Sequence, residues 1–467
     1  MAIIIITLLL LGYLLIATER LTNINKAAVA MFIGTLGWVL YICYGNDFVM
    51  SQHPNDYFDF LDGDSPTGIA AKQYIAQNVF LKYVGKASEI VLFLLATMSI
   101  VEILQNNGCF DFISQLMRTR SSRRLLWSFA MVTFLISANL DNLTTTVMML
   151  TIMHKIVTQR RLRMVYGSVI VLSANCGGAL TVIGDPVGLV LWSTGAVTAT
   201  NFSMSLAMPC LAAWLIPTCW LGRTLPDRVE IEWITMPYRG DDTNLNAWQR
   251  LLMLFVGIGG LWFIPTFHNM TQLSPFLGAL CVLSVLWIVN EVVNRKLMNN
   301  EEMIQRRIPR VLQYGVIQLM LFVMGMMLAV GAARESGALN WLEETLGRTA
   351  SDLWIVAAFT TLVSTAVNSF ATALSMFSLA DLVHVGPLAD SSAACWDFVQ
   401  NAPYWKVVAY ASAVGGNLLA IGSSSGLALL KMERIHVGWY FRNVGVKALV
   451  GGLVGFALLW LALSGWA

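Results

Sequence analysis

Long, mostly apolar runs recur from one end of the chain to the other, and they set what it can fold into. They cover residues 2–17, 27–43, 90–104, 248–265, 275–289, 316–330 and 444–463. A helix needs about 20 mostly apolar residues to cross the hydrocarbon core of a bilayer, so several of these runs read as spans. Only 12% of the 467 residues are charged, against roughly 25% in an ordinary soluble domain. The largest polar stretch, residues 45–86, is too short and too poor in core residues to be a soluble domain. Residues 2–16 lack a basic leader and a small-residue cleavage site, so they read as a retained helix rather than a signal peptide. The seven cysteines form no CxxC pair or Cys/His cluster and read as apolar filler. The class is therefore all-α and integral to the membrane.

Charge then places the loops, because Lys and Arg gather on the cytoplasmic side. Four basic clusters stand out: Arg118, Arg120, Arg123 and Arg124; Lys155, Arg160, Arg161 and Arg163; Arg295, Lys296, Arg306, Arg307 and Arg310; and Lys431, Arg434 and Arg442. Acidic stretches with Asp47, Asp56, Asp59, Asp62 and Asp64, with Glu335, Glu343, Glu344 and Asp352, and with Asp381 and Asp390 belong outside. Residues 125–153 have basic flanks at both ends. At about 1.5 Å per residue, one straight helix of that length overshoots the bilayer. Two arms folding back in mid-membrane fit, with the polar centre from Ser137 to Thr146 as the tip. Residues 353–383 repeat the pattern between acidic flanks, around a centre from Ser364 to Thr372. One re-entrant hairpin is expected to enter from inside and the other from outside.

Each hairpin is followed by a second interrupted segment, 165–199 in the first half and 404–430 in the second. Gly177 and Gly178 match Gly415 and Gly416, Ile183-Gly184 match Ile421-Gly422, and Gly188-Leu189 match Gly426-Leu427. The hairpin tips align as well: Ser137 with Ser364, Asp141 with Asn368, Thr145 with Thr372. Repeats that enter from opposite sides mark alternating-access carriers. Lipid cannot satisfy the N–H and C=O groups freed by a broken helix, so such breaks line a cavity and bind something. The glycines also suit close helix packing, and the Asp185-Pro186 pair also suits a simple helix stop.

The organisation expected is a helix and cytoplasmic loop over 1–26, a first repeat over 27–222, a cytoplasmic linker over 223–246 and a second repeat over 247–467. About ten transmembrane helices and two re-entrant hairpins would form two inverted-topology repeats, with both termini outside.

A carboxylate inside a span is costly and marks function by default. Glu102, Asp141 and Asp185 are the candidates, with Glu102 equally readable as a headgroup-level residue or a proton relay. Around the two aspartates lie Asn142, Thr144, Thr145 and Asn175, and the second half offers Asn368, Thr372, Ser423 and Ser424. These are hard oxygen donors of the kind that suits a small hard cation such as sodium. No Lys or Arg falls within either polar knot, which favours a cation over an anion as cargo. Asp141 and Asp185 are the expected sodium ligands, each able to hold a proton or the ion but not both. Glu433-Arg434 reads as a cytoplasmic turn, and His384 and His436 as solvated loop residues.

These motifs resemble the NhaD-type sodium:proton antiporters, within the ion transporter superfamily that includes arsenite permeases and dicarboxylate transporters. The similarity rests on Ser88 to Glu102 with Gly108 to Ile113, on Leu140-Asp-Asn-Leu-Thr-Thr-Thr146, and on Ala174-Asn-Cys-Gly-Gly-Ala with Ile183-Gly-Asp185. It continues through Val414-Gly-Gly-Asn417, Gly422-Ser-Ser-Ser-Gly426 and Trp439-Tyr-Phe-Arg442. The resemblance implies paired re-entrant hairpins and export of sodium or lithium against inward protons, with the acidic motif residues at Asp141 and Asp185. It also implies no cofactor beyond the transported ions, and a homodimer by analogy. Two departures stand out: Val367-Asn368-Ser369 replaces an expected Asp-Asn pair, and Pro-Val-Gly follows Asp185 in place of a hydroxyl-rich run. The expected partners are lipid, sodium and protons, not nucleic acid, and the expected location is a bacterial inner membrane. The alternatives are a sodium-coupled anion permease of arsenite or carboxylate type and, more remotely, a membrane-embedded enzyme, for which no nucleophile–base pair is evident.

Overall fold

A computed structural model describes residues 2–62, 65–110, 113, 117, 119–229, 245–293, 314–339, 353–379 and 398–464. Eight helices among the described residues are long and apolar enough to cross a membrane. Shorter apolar helices cover Ala2–Ala17 (α1) and Leu353–Ala366. Several charged residues used above to place loops lie outside the described residues: Asp64, Arg118, Arg295, Lys296, Arg306, Arg307, Arg310, Glu343, Glu344, Asp352, Asp381, His384 and Asp390. So do 230–244 of the linker and 380–383 of the second hairpin.

The helix Lys26–Cys43 (α2) follows α1, and short helices Gly45–Gln52 (α3) and Pro54–Leu61 (α4) follow in turn. Much of the polar stretch 45–86 is therefore helical. The amphipathic α4 buries Tyr57 and Leu61, and the Tyr57 ring meets Tyr74 edge-on at 5.3 Å. Thr67 caps the next helix by accepting from the Ala70 N–H at 3.2 Å, and that helix, Gly68–Asn106 (α5), runs for 39 residues. It contains one wide turn over Ile75–Phe80.

Two pairs of helices follow, each interrupted at its polar centre. Ser122–Ser137 (α6) and Asn142–Ile156 (α7) are the arms of the first hairpin. Arg160–Leu180 (α8) and Pro186–Ser193 (α9) form the first broken segment. After Ala199–Gly222 (α10), Ala247–Thr271 (α11), Pro275–Val293 (α12) and Tyr314–Glu335 (α13), the pattern returns. Leu353–Ala366 (α14) and Ser369–Ser378 (α15) face Pro403–Leu419 (α16) and Ser424–Met432 (α17). The helix Val437–Leu463 (α18) closes the bundle.

The halves interlock through small residues, as expected where lipid supplies no hydrophobic drive between helices. α2 packs on α13, where a Cβ added to Gly34 would stand 2.7 Å from the Gly325 carbonyl oxygen. α10 packs on α18, and a Cβ on Gly451 would stand 2.9 Å from Pro217 Cδ.

Candidate functional site

Four broken ends meet at the centre, and each is capped by its own first side chain. Asp141 caps α7: its Oδ2 accepts from the Thr144 N–H at 2.9 Å and the Thr144 hydroxyl at 3.2 Å. Asp185 caps α9, accepting from the Val187 N–H at 3.0 Å. In the second half Asn368 caps α15, accepting from the Phe370 and Ala371 N–H groups at 3.0 and 3.3 Å. Ser423 caps α17, accepting from the Gly426 N–H at 3.0 Å. The same residues predicted from the polar knots thus satisfy the orphan donors of helix N-termini.

The packing around the caps also recurs. The Ser137 hydroxyl donates to the Ala174 carbonyl at 2.7 Å, and the Ser364 hydroxyl to the Ser412 carbonyl at 2.7 Å. A Cβ on Gly184 would lie 2.5 Å from the Ser137 carbonyl oxygen, and a Cβ on Gly422 would overlap that of Ser364. Likewise a Cβ on Gly177 would overlap the Phe134 carbonyl, and one on Gly415 the Thr361 carbonyl. Only glycine lets the hairpin and the broken helix approach this closely.

Direct bonds join several of the predicted residues. The Asn142 amide donates to Asp185 Oδ2 at 2.8 Å, which ties hairpin to break, and the Asp141 and Asp185 carboxylates lie within electrostatic reach of each other. Asn175 crosses to the second half, donating to Ser423 Oγ at 3.0 Å and to Asn417 Oδ1 at 2.8 Å. Asn417 joins this hydrogen-bonded network beside the aligned glycines, which did not single it out. Asn368 and Thr372 lie in the second hairpin, joined to its break by the Ser369 N–H donating to the Gly422 carbonyl at 2.7 Å. Glu102 is half-buried on α5, about one turn before its end at Asn106.

Several oxygens here are buried and have no hydrogen-bond partner among the described residues: Asp141 Oδ1, Thr145 Oγ1, Asn175 Oδ1, Thr372 Oγ1 and Ser425 Oγ. An unpaired buried oxygen costs roughly 1–3 kcal/mol. Hard oxygens, one of them a carboxylate, are the donor set a desolvated sodium ion takes.

The structure adds two charge contacts that the sequence does not foretell. Lys26, at the first turn of α2, is distant in sequence from either knot, yet its ammonium donates to Ser424 Oγ at 2.9 Å. It also lies 4.9 Å from the centre of the Phe322 ring. A lysine does reach the second break, then, although none lies within it in sequence. Glu433 lies in a turn, as expected, but its carboxylate is tied into the fold. It is 4% exposed and binds Arg163 Nε through both oxygens at 3.0 and 3.1 Å and His154 Nδ1 at 3.0 Å. These bonds tie the end of α17 to α7 and α8; His436 is exposed, as expected.

Near the N-terminal half of α5, a cavity of about 400 Å³ is lined by His53, Asp56, Tyr74, Lys82, Tyr83 and Glu335. Glu335 accepts from the Tyr83 hydroxyl at 2.8 Å and meets His53 Nε2 at 2.6 Å. That bond holds the His53 imidazolium above its ordinary value. A second cavity, about 270 Å³, adjoins it at Tyr83 and reaches Val190 and Leu191 of α9, with Lys86 and Arg334 in its wall.

A bundle of broken, capped helices in a chain of spanning helices defines a membrane transporter, and the comparisons with known proteins agree. The family described as citrate transporter (CitMHS) matches residues 13–415, and the chain belongs to this family. It is 30% identical over 378 residues to sodium/proton antiporter 1 of Arabidopsis thaliana, covering 80% of this chain and 62% of that relative. Sodium/proton antiporter 2 of the same plant is 25% identical, over 95% of this chain and 96% of its own. The Na(+)/H(+) antiporter NhaD of Vibrio cholerae is 26% identical, over 77% and 74%. The resemblance to NhaD-type transporters is borne out. The chain is an integral membrane protein of a transporter family, and the three relatives just described carry sodium/proton antiporter names.

Proposed function

We propose that the protein is a secondary active transporter that exchanges sodium, or lithium, for protons by alternating access, with its two halves as inverted-topology repeats. One observation carries the reading. Asp141 and Asp185 cap the two first-half helix ends, within electrostatic reach of each other, and one buried oxygen of Asp141 has no partner among the described residues. A carboxylate so placed binds a cation or a proton, and competition between the two is sufficient for exchange. Thr144, Thr145, Asn142 and Asn175 complete the oxygen set, and Asn368, Thr372, Ser423 and Ser424 form the second-half wall. The counterion role of each aspartate is stronger in this low-dielectric setting than in water. Glu102 is assigned to proton relay, and the cavities at Tyr83 to the access route. About ten spanning helices, residues 27–222 and 247–467 as the two repeats, a homodimer and a bacterial inner membrane complete the proposal.

Purified protein in acid-loaded vesicles tests it. Addition of sodium or lithium chloride should drive protons out, and potassium chloride should not. A second reading, sodium-coupled anion permease, draws on the family's description and on the Lys26 ammonium at the second break. Sodium uptake that requires an added carboxylate or oxyanion, with no proton movement on sodium alone, would overturn exchange in its favour.

A further inference from the structure

The two halves share their geometry but not their charge. The first half caps its broken helices with two carboxylates, Asp141 and Asp185, and the second uses neutral Asn368 and Ser423 at the matching positions. The difference is not random, because a cation already stands at the second break. The Lys26 ammonium sits 2.9 Å from Ser424 Oγ, with the face of Phe322 at 4.9 Å. A hydroxyl oxygen and an aromatic ring are what a cation seeks once it leaves water. Ser425 Oγ and Thr372 Oγ1, both buried and without a partner among the described residues, belong to the same break and hairpin.

Two other charged groups act on Lys26 from nearby, the Glu19 carboxylate in its favour and the Lys431 ammonium against it. Glu19, on the turn that precedes α2, is bonded through Oε1 to Lys431 at 3.0 Å, and its Oε2 is buried without a hydrogen-bond partner among the described residues. Lys431 is on α17 itself, a further positive charge. No carboxylate stands within ion-pair distance of Lys26 among the described residues.

We propose that Lys26 is a tethered cation that takes the place of a second transported ion and so limits the carrier to a single sodium at the Asp141–Asp185 pair. The proposal rests on the exchange reading and adds the specificity residue that sets its stoichiometry. A free sodium at the second break would need the same oxygens and would meet a fixed like charge. The ion is therefore confined to the half that holds the carboxylates. A transported anion held against Lys26 is the competing use of the same ammonium.

Equilibrium binding of radioactive sodium to the purified full chain tests this, with sodium-driven proton flux measured on the same preparations. Wild type and Lys26→Arg should bind one sodium per chain and show a hyperbolic dependence of flux on sodium. Lys26→Gln, confirmed monodisperse and with an unchanged melting temperature, should admit a second, weaker sodium and turn the flux curve sigmoidal. Two sodium ions bound by wild type would overturn the proposal without touching the exchange reading, and needs no folded variant. A folded Lys26→Gln with wild-type count, affinity and curve would also overturn it and leave Lys26 as a packing residue. Citrate or arsenite bound by wild type and lost in Lys26→Gln would replace it with the anion use. Failure of wild type to bind sodium or move protons would remove the exchange reading, and this inference with it.

Discussion

The two polar centres, one in each half, are built alike and charged differently. The serine-to-carbonyl bonds of Ser137 and Ser364 have the same length, the glycines at 177, 184, 415 and 422 admit the same close approach, and all four short helices carry a side-chain cap. What changes is the capping atom: carboxylate oxygens in the first half, an amide and a hydroxyl in the second. The backbone architecture needs any good N-cap, and Asp, Asn and Ser serve about equally there. The carboxylates therefore exceed what the fold requires. That excess of charge over structural need is the ground on which the proposed function places the ion there.

The largest break in the comparison is expected on activity. Asp141→Asn and Asp185→Asn keep the caps and remove the charge, so folding should survive while sodium-driven proton flux falls by at least ~100-fold, about 2.7 kcal/mol. Flux within a few-fold of wild type in either variant would show that the first-half charges are not special.

Packing should instead treat the halves alike. Gly184→Ala and Gly422→Ala each drive a Cβ into a serine carbonyl, and each should cost about 1–3 kcal/mol of stability by overpacking. Thermal unfolding in detergent would check this; a loss confined to one half would break the structural match. Ser137→Ala and Ser364→Ala should each cost about 1 kcal/mol, the net value of one buried hydrogen bond. Equal shifts would sharpen the match.

The smallest effect lies outside the paired centres, at His53. Its hydrogen bond to Glu335 raises its folded value above the ordinary imidazole value. The proton is thus held more tightly in the folded state than in the unfolded one. The stability from this pair is fully present below the unfolded value and is lost as pH rises through the raised folded value. His53→Gln should flatten that decline, which amounts to roughly 1 kcal/mol for a pair this exposed. An identical slope in the variant would remove His53 from the account.

Much of this was legible in the sequence, because the features concerned are local. Residues 125–153 and 353–383 were too long for one crossing and had like-signed flanks, and the structure divides them at Ser137/Asn142 and Ala366/Ser369. Asp141, Asp185, Asn368 and Ser423 were found as members of polar knots, and a residue that opens a broken helix is also the one that caps it. What escaped depends on distant partners. Lys26 and Ser424 are separated by nearly the whole chain, and nothing in the local pattern of either foretells their contact. Glu433 read only as a cytoplasmic turn because its partners, Arg163 and His154, come from the first half. The helices in 45–86 were hidden by their polar composition, since α4 needs only Tyr57 and Leu61 on one face to pack.

Sodium-driven proton movement in vesicles, with Asp141→Asn beside Asn368→Asp, tests the central claim most directly. One variant removes the charge at a first-half cap and the other adds a charge at the matching second-half cap, each without changing shape. The account predicts that Asp141→Asn is inert and Asn368→Asp still transports. Wild-type transport by Asp141→Asn, or equal loss in both variants, would contradict it.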